Sequence, residues 1–239
     1  MTAPPGNRRV AVQVAFSFCA LAAVLVCQAA IAAPTEYAIR WAAAEGGPKS
    51  ATEVLQLLKL EPKKKVETFE VRYFRTGVPA DAPALSTSIV RERSDGSEPQ
   101  ITFKYRADLP LPATASWKCP LTSFDKSKFE TDITFLGAPV RKAYSWSCTG
   151  AGSLASLLPG ALLPQPVGCG ARMVRRESKG MEYKVEEWQL KTGATVLEVS
   201  WTATDDAKDQ QQFADQVVAP LLARIKPLDR SKTEIGSSC

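Results

Sequence analysis

Three runs between Glu67 and Arg106 constrain this chain more than any other feature. They read ETFEVRYFRTG, STSIVRERSDGSEP and QITFKYRAD, each alternating apolar with polar residues as a half-buried strand does. Asp95-Gly96 supplies the turn between the second and third. In the third run Ile101, Phe103 and Tyr105 share one face. Thr102, Lys104 and Arg106 share the other, because successive side chains on a strand point to opposite sides. Cations therefore line one face of a sheet.

More strands follow the same rule. Glu36–Trp41 carries Tyr37, Ile39 and Trp41 on one face and Glu36, Ala38 and Arg40 on the other. Phe129–Phe135 places Glu130, Asp132 and Thr134 together, and Ala143–Cys148, Ala171–Glu177 and Met181–Leu190 also read as strands. Lys191-Thr192-Gly193 turns into Thr195–Ala203, forming a hairpin. A helix after the first strand starts at Ser50, with Ser50 and Glu53 as a capping box. Val54, Leu55, Leu57 and Leu58 are its apolar stripe, and Pro62 ends it. A last helix, capped by Asp205-Asp206, carries Phe213, Val217, Leu221 and Ile225, and Pro220 predicts a kink or a split. The tail from Asp229 reads as loose unless Cys239 is bridged.

The N-terminal segment 1–32 has the layout of a secretory signal: Arg8 and Arg9, an apolar core Val10–Val26, and a small-x-small site at Ala30-Ile31-Ala32. A retained membrane anchor is the alternative, since the apolar core nears the ~20 residues a span needs. Residues 33–239 are expected to form one domain in a secreted or periplasmic protein, with no further span once the signal is removed. Loss of 1–32 removes two arginines from 30 cations and leaves 25 acids unchanged, a net charge of +3, which is too mild to argue for nucleic acid.

Four cysteines remain beyond the signal: Cys119, Cys148, Cys169 and Cys239. An even number in an exported chain predicts two disulfides in one of three connectivities. Pairing Cys148 with Cys169 would close the apolar, Pro-broken segment GAGSLASLLPGALLPQPVGCG and leave Cys119 for Cys239. That segment suits a buried short helix or lid; exposed, it would suit a partner or lipid. The chain has no histidine and no Cys-x-x-Cys spacing, which argues against zinc and removes Ser-His-Asp and Cys-His catalysis.

The strands' polar faces offer Glu36 and Arg40, Glu70 and Arg72, Arg91 and Arg93, Lys104 and Arg106, Glu130 and Asp132, Arg172 and Arg176, and Glu198. A closed barrel with a wet, charged interior explains the pattern; an open sheet with one solvated face gives the same alternation. The order of the motifs favours the barrel. Glu36-Tyr37-Ala38-Ile39-Arg40, Tyr73-Phe74-Arg75-Thr76, Val90-Arg91-Glu92-Arg93, Ile101-Thr102-Phe103-Lys104, Glu130-Thr131-Asp132, a basic strand around Arg175-Arg176 and Leu197-Glu198-Val199-Ser200 follow one another along the chain. This succession resembles the CYTH domain of the triphosphate tunnel metalloenzymes, over roughly Glu36 to Leu228.

The resemblance implies an α+β fold: an eight-stranded antiparallel β-barrel tunnel with a helix after the first strand and a C-terminal helix outside. It implies a triphosphate or other anionic small molecule clamped by Arg40, Arg91, Arg93, Lys104, Arg106 and Arg176, with Mg²⁺ or Mn²⁺ on Glu36, Glu130, Asp132 and Glu198. The chain departs from the family pattern at Ala38 and Ser200, where carboxylates are usual, at Arg75 in place of an aspartate, and at Arg40 in place of a lysine. An anion site with a weakened metal site follows, so binding of a phosphorylated or polyanionic ligand without efficient catalysis is the expectation. A surviving metal-dependent triphosphatase, or an envelope scaffold with no small ligand, are the alternatives.

Overall fold

Nine strands pair around a closed ring in a computed structural model, which describes residues 34–77, 87–111, 118–160, 164–204 and 207–239. The strands are β1 (Thr35–Ala42), β2 (Pro62–Arg75), β3 (Thr87–Ser94), β4 (Gln100–Ala107), β5 (Lys126–Phe135), β6 (Val140–Ala151), β7 (Gln165–Ser178), β8 (Lys184–Leu190) and β9 (Thr195–Ala203). Their order around the ring is β1-β5-β6-β4-β3-β2-β7-β8-β9. Every pairing is antiparallel except β1 with β5, which is parallel. The barrel is as expected, with nine strands rather than eight. The signal segment 1–32 and the Asp205-Asp206 cap lie outside the described residues.

Register assigns the two faces of the wall. Glu36, Arg40, Lys104, Asp132 and Glu198 all fall in phase across the pairs Glu36↔Asp132, Arg40↔Glu198 and Lys104↔Ser147. They point inward. Their neighbours in sequence point outward, where two apolar clusters cover the barrel. One packs Tyr37, Ile39 and Trp41 against Val54 and Leu55 of α1 (Ala51–Leu57) and against Phe213, Val217 and Leu221. The other packs Phe103, Tyr105 and Trp146 against Leu157 and Leu158, so the Pro-broken segment buries these two leucines; it forms the short α2 (Leu154–Leu157). A third cluster (Val71, Tyr73, Ala171, Met173, Trp188, Leu190 and Val196) is in phase with the inward set and fills part of the interior.

Local chemistry fixes the helices. Ser50 caps α1 by accepting from the Glu53 amide at 3.2 Å, while the Glu53 carboxylate takes the Lys49 amide, so the box expected at Ser50 is only half formed. The strand β2 begins at Pro62 itself and absorbs Lys63-Lys64-Lys65. Beyond β9 the chain runs through α3 (Ala207–Phe213), a π-helical segment Ala214–Val218 and α4 (Ala219–Leu222). Pro220 follows the π segment directly within this continuous helical run, so the backbone departs from regular α-helix just before the residue that lacks an N–H.

The tail is not loose. It forms α5 (Lys232–Ser238), opened by a full capping box in which Ser231 Oγ accepts from the Glu234 amide and the Glu234 carboxylate accepts from the Ser231 amide at 2.6 Å. Gly236 lets α5 approach Tyr73: a Cβ there would lie 2.3 Å from the ring. The disulfides are Cys119–Cys148 and Cys169–Cys239, not the pairing expected. The reason is geometric. Cys148 belongs to an outer apolar cluster and Cys169 packs on the inner one, so the barrel wall separates them.

Candidate functional site

The polar part of the interior is a cavity of about 250 Å³. Ten cationic side chains and four carboxylates line it, an excess of six positive charges. The cations are Arg40, Arg91, Arg93, Lys104, Arg106, Lys126, Lys128, Arg175, Lys184 and Lys232; the acids are Glu36, Glu130, Asp132 and Glu186. Five of the six expected ligand-binding residues line it: Arg40, Arg91, Arg93, Lys104 and Arg106. Of the expected metal set, Glu36, Glu130 and Asp132 line it, and Glu198 is fully buried behind Arg40.

Arg176 does not line the cavity; Arg175 does. Arg175 stands opposite both Glu67 and Glu186, whereas Arg176 stands opposite Val66 and Val185 and faces out. Glu70, Arg72 and Arg172 share that outward phase, and Arg72 pairs with Glu92 on the outer surface. Two adjacent arginines leave strand phase open in sequence, and only register decides it.

The cavity has two chemically distinct walls. On the first, buried carboxylates are matched by cations. Arg40 pairs with Glu198 through Nε and donates to Thr134 Oγ1 at 2.9 Å. Lys232 Nζ, reaching in from α5, lies 2.7 Å from Glu198 Oε1 and 2.9 Å from Glu186 Oε2. Arg175 donates to Glu186 from Nε at 2.9 Å and Nη2 at 2.7 Å, and the Trp188 indole donates to the same carboxylate at 3.1 Å. Nearby, Lys104 and Arg106 lie 3.5 and 3.6 Å from Asp132, and Lys128 pairs with Glu130.

The charges follow this pairing. Burial opposes ionisation of Glu36, but the positive charges of Lys232, Lys104 and Arg40 outweigh it and hold the carboxyl at about 2. Burial likewise opposes ionisation of Glu186, and Lys232, Arg175 and Arg93 keep it well below the usual carboxylate range. Burial works against the Lys232 ammonium, and Glu186, Glu198 and Glu36 more than restore it, raising its pKa.

The second wall is the inward face of β3, next to β4 in the ring, and its two arginines have no directly paired carboxylate. Among the described residues no carboxylate is within ion-pair distance of Arg91 or Arg93, and the Nε of each is buried with no hydrogen-bond partner. Arg93 lies 5.0 Å from the centre of the Phe69 ring. Burial and then the adjacent Arg91 charge pull its guanidinium down to about 9. A buried donor without an acceptor is costly, and an anion reaching these guanidinium groups would relieve that cost.

The carboxylates do not fit a resident divalent cation. Glu186 and Glu198 are bridged by Lys232, and Glu130 and Asp132 are shared among three cations. Among the described residues no group of three or more His, Cys, Asp or Glu side chains is arranged to hold a metal. Among the charged residues lining the cavity, Lys126, Lys128, Lys184, Lys232 and Glu186 escape the sequence reading. The Ser231-Lys-Thr-Glu234 box signals the helix that carries Lys232, and alternation along β8 would have put Glu186 in phase with Trp188.

A second opening of about 490 Å³ adjoins the cavity, sharing Lys104, Arg106, Ser231 and Thr233 with it. Among the described residues no helix is long and apolar enough to cross a membrane.

No family model and no curated protein matches the chain. Solved structures similar to it include the PH1012 protein of Pyrococcus horikoshii OT3, at 13% identity and a TM-score of 0.46 over 85% of this chain and 99% of that one. The PH1819 protein of the same organism is similar at 10% identity and a TM-score of 0.47, over 84% and 97% of the two chains. So is the Hippeastrum protein HpAC1, described as an adenylyl cyclase candidate with a dominant triphosphatase activity, at 12% identity and a TM-score of 0.47 over 82% and 91%.

Proposed function

We propose that this chain is an exported CYTH-like barrel that binds a compact polyanion, of phosphate or polyphosphate chemistry, in its basic interior and turns it over slowly or not at all. One observation carries the reading: the cavity has six more cations than acids, and two of its arginines present buried donors with no protein acceptor. Phosphoryl oxygens are the acceptors such guanidinium forks suit best. The resemblance of the strand motifs to triphosphate-binding tunnels points the same way. Low turnover follows from Ala38 and Ser200, small inward side chains opposite each other on β1 and β9, where the family pattern has carboxylates. The segment 1–32 and the two disulfides support export to an oxidising compartment.

Titration calorimetry with tripolyphosphate tests the binding. The expected result is saturable binding that weakens with added salt. Lys104→Ala should weaken it by about 1–3 kcal/mol, the range for hydrogen bonds to charged groups. Absence of saturable binding to the folded, oxidised protein would overturn the reading.

A further inference from the structure

We infer that Lys232 is a resident cation: its ammonium fills the carboxylate seat between Glu186 and Glu198, so that this wall of the barrel takes no divalent metal. The inference concerns the acidic wall and does not depend on which anion the basic wall accepts.

Two carboxylates, Glu186 and Glu198, are buried opposite each other on β8 and β9, and the half-buried Glu36 of β1 lines the same side of the cavity. Adjacent buried carboxylates call for cations beside them. Here three cations answer them: Arg40 on Glu198, Arg175 on Glu186, and Lys232 between the two. The local charge sums to zero before any ion arrives. The Lys232 contacts, 2.7 and 2.9 Å, have the length of charge-assisted hydrogen bonds. A metal taking the same oxygens would have to displace the ammonium or sit beside it, like charge against like charge.

The ammonium is held in place by construction. Lys232 opens α5, which the Ser231–Glu234 capping box fixes at its start and Cys169–Cys239 fixes at its end. Between these points Gly236 rests on Tyr73, and Ile235 packs on the apolar interior cluster. Arg141 also holds the approach, donating to the Asp229 carbonyl at 2.8 Å. Releasing Lys232 therefore means moving the whole segment. A lysine delivered from a separate, covalently tethered helix neutralises this acidic wall, with no dependence on metal supply.

Mn²⁺ binding, followed by electron paramagnetic resonance and calorimetry, tests this without reference to activity. The wild-type protein should show no saturable Mn²⁺ site at millimolar concentration. Lys232→Ala, with circular dichroism and disulfide mapping confirming its fold, should gain one, tighter than wild type by about tenfold or more. Adding Glu198→Gln to that variant should abolish the gain, and Lys232→Arg should never show it. A wild-type Mn²⁺ site lost in Glu198→Gln would overturn the inference, as would a folded Lys232→Ala protein that gains nothing. The wild-type measurement decides by itself if Lys232→Ala does not fold. Tripolyphosphate binding, read separately, reports on the basic wall: its absence with the Mn²⁺ pattern intact would defeat the proposed function and leave this inference standing.

Discussion

Replacing Arg93 with methionine should make the empty protein more stable and the ligand site weaker. Arg93 is a cation without an anionic partner, and burial with the Arg91 charge pulls it from 12.5 to about 9. For a base with a depressed pKa the penalty is present below the folded value, hence in full at pH 7, and is relieved above it. At about 1.4 kcal/mol per tenfold, that depression sets a ceiling near 5 kcal/mol. Solvent relaxation around charged groups lowers it, and methionine forfeits the contact with Phe69 at 5.0 Å, worth about 0.5–2 kcal/mol. A net gain of about 1–2 kcal/mol is expected, which for a domain of this size raises Tm by roughly 2–8 °C. Ligand reverses the order. Tripolyphosphate at about 100 times its Kd should stabilise the wild type by about 2.7 kcal/mol, and the variant by far less at the same concentration. Urea and thermal unfolding with and without tripolyphosphate measure both quantities. An Arg93→Met protein that is less stable when empty, and is stabilised by tripolyphosphate as much as wild type is, would refute the idea of a cationic wall with no directly paired carboxylate.

Acid should unfold the barrel through its paired carboxylates. Glu36 has a depressed pKa, so its contribution is present above the ordinary 4.5 and is lost as pH falls through about 2. Urea midpoints measured from pH 5 to pH 2 should fall steeply in wild type and less steeply in Glu36→Gln, with up to about 3 kcal/mol at stake. Removing Cys169–Cys239 by double serine substitution should cost about 4 kcal/mol in the chain-entropy view of a 70-residue separation, and proteolysis should then reach α5 first. Phosphate release from tripolyphosphate with Mg²⁺ or Mn²⁺ should be slow; rapid release abolished by Glu130→Ala would show a working hydrolase instead. N-terminal sequencing of protein from a producing cell should begin at Ala33, and an intact Met1 form held in the membrane would contradict export.

Much of the barrel was readable because alternation is a local signal. The phase that puts Lys104 with Arg106, and Glu130 with Asp132, needs only the two-residue strand period, and the structure places all four on the cavity wall. What failed was non-local. The phase of β7 is ambiguous where Arg175 and Arg176 are adjacent, and it is set by partners on β2 and β8 with a register shift in the pairing. Glu70 and Arg72 alternate as a polar face should, yet β2 turns that face outward because Val71 and Tyr73 fill the interior. The cysteines were paired by nearness in sequence, which says nothing about which side of a wall each occupies. Lys232 escapes the sequence because the segment carrying it has no apolar periodicity, and what holds it in place, Glu186, Glu198 and the Cys169–Cys239 bridge, lies elsewhere in the chain.

The place of β1 in the ring bears on how the protein reaches its folded state. Its neighbours are β5 and β9, and Thr35 stands opposite Ala203, so the first strand cannot complete its pairing until the last has emerged. Contacts so distant along the chain carry a large loop-closure cost before any reward, and topologies rich in them fold slowly. Until that seam closes, β5 and β9 each expose an unsatisfied edge, the kind of surface that recruits other chains. The seam joining β1 to β5 and β9 is therefore where refolding yield should be won or lost: a partner that shields these edges would raise it, and crowding among half-folded copies would lower it.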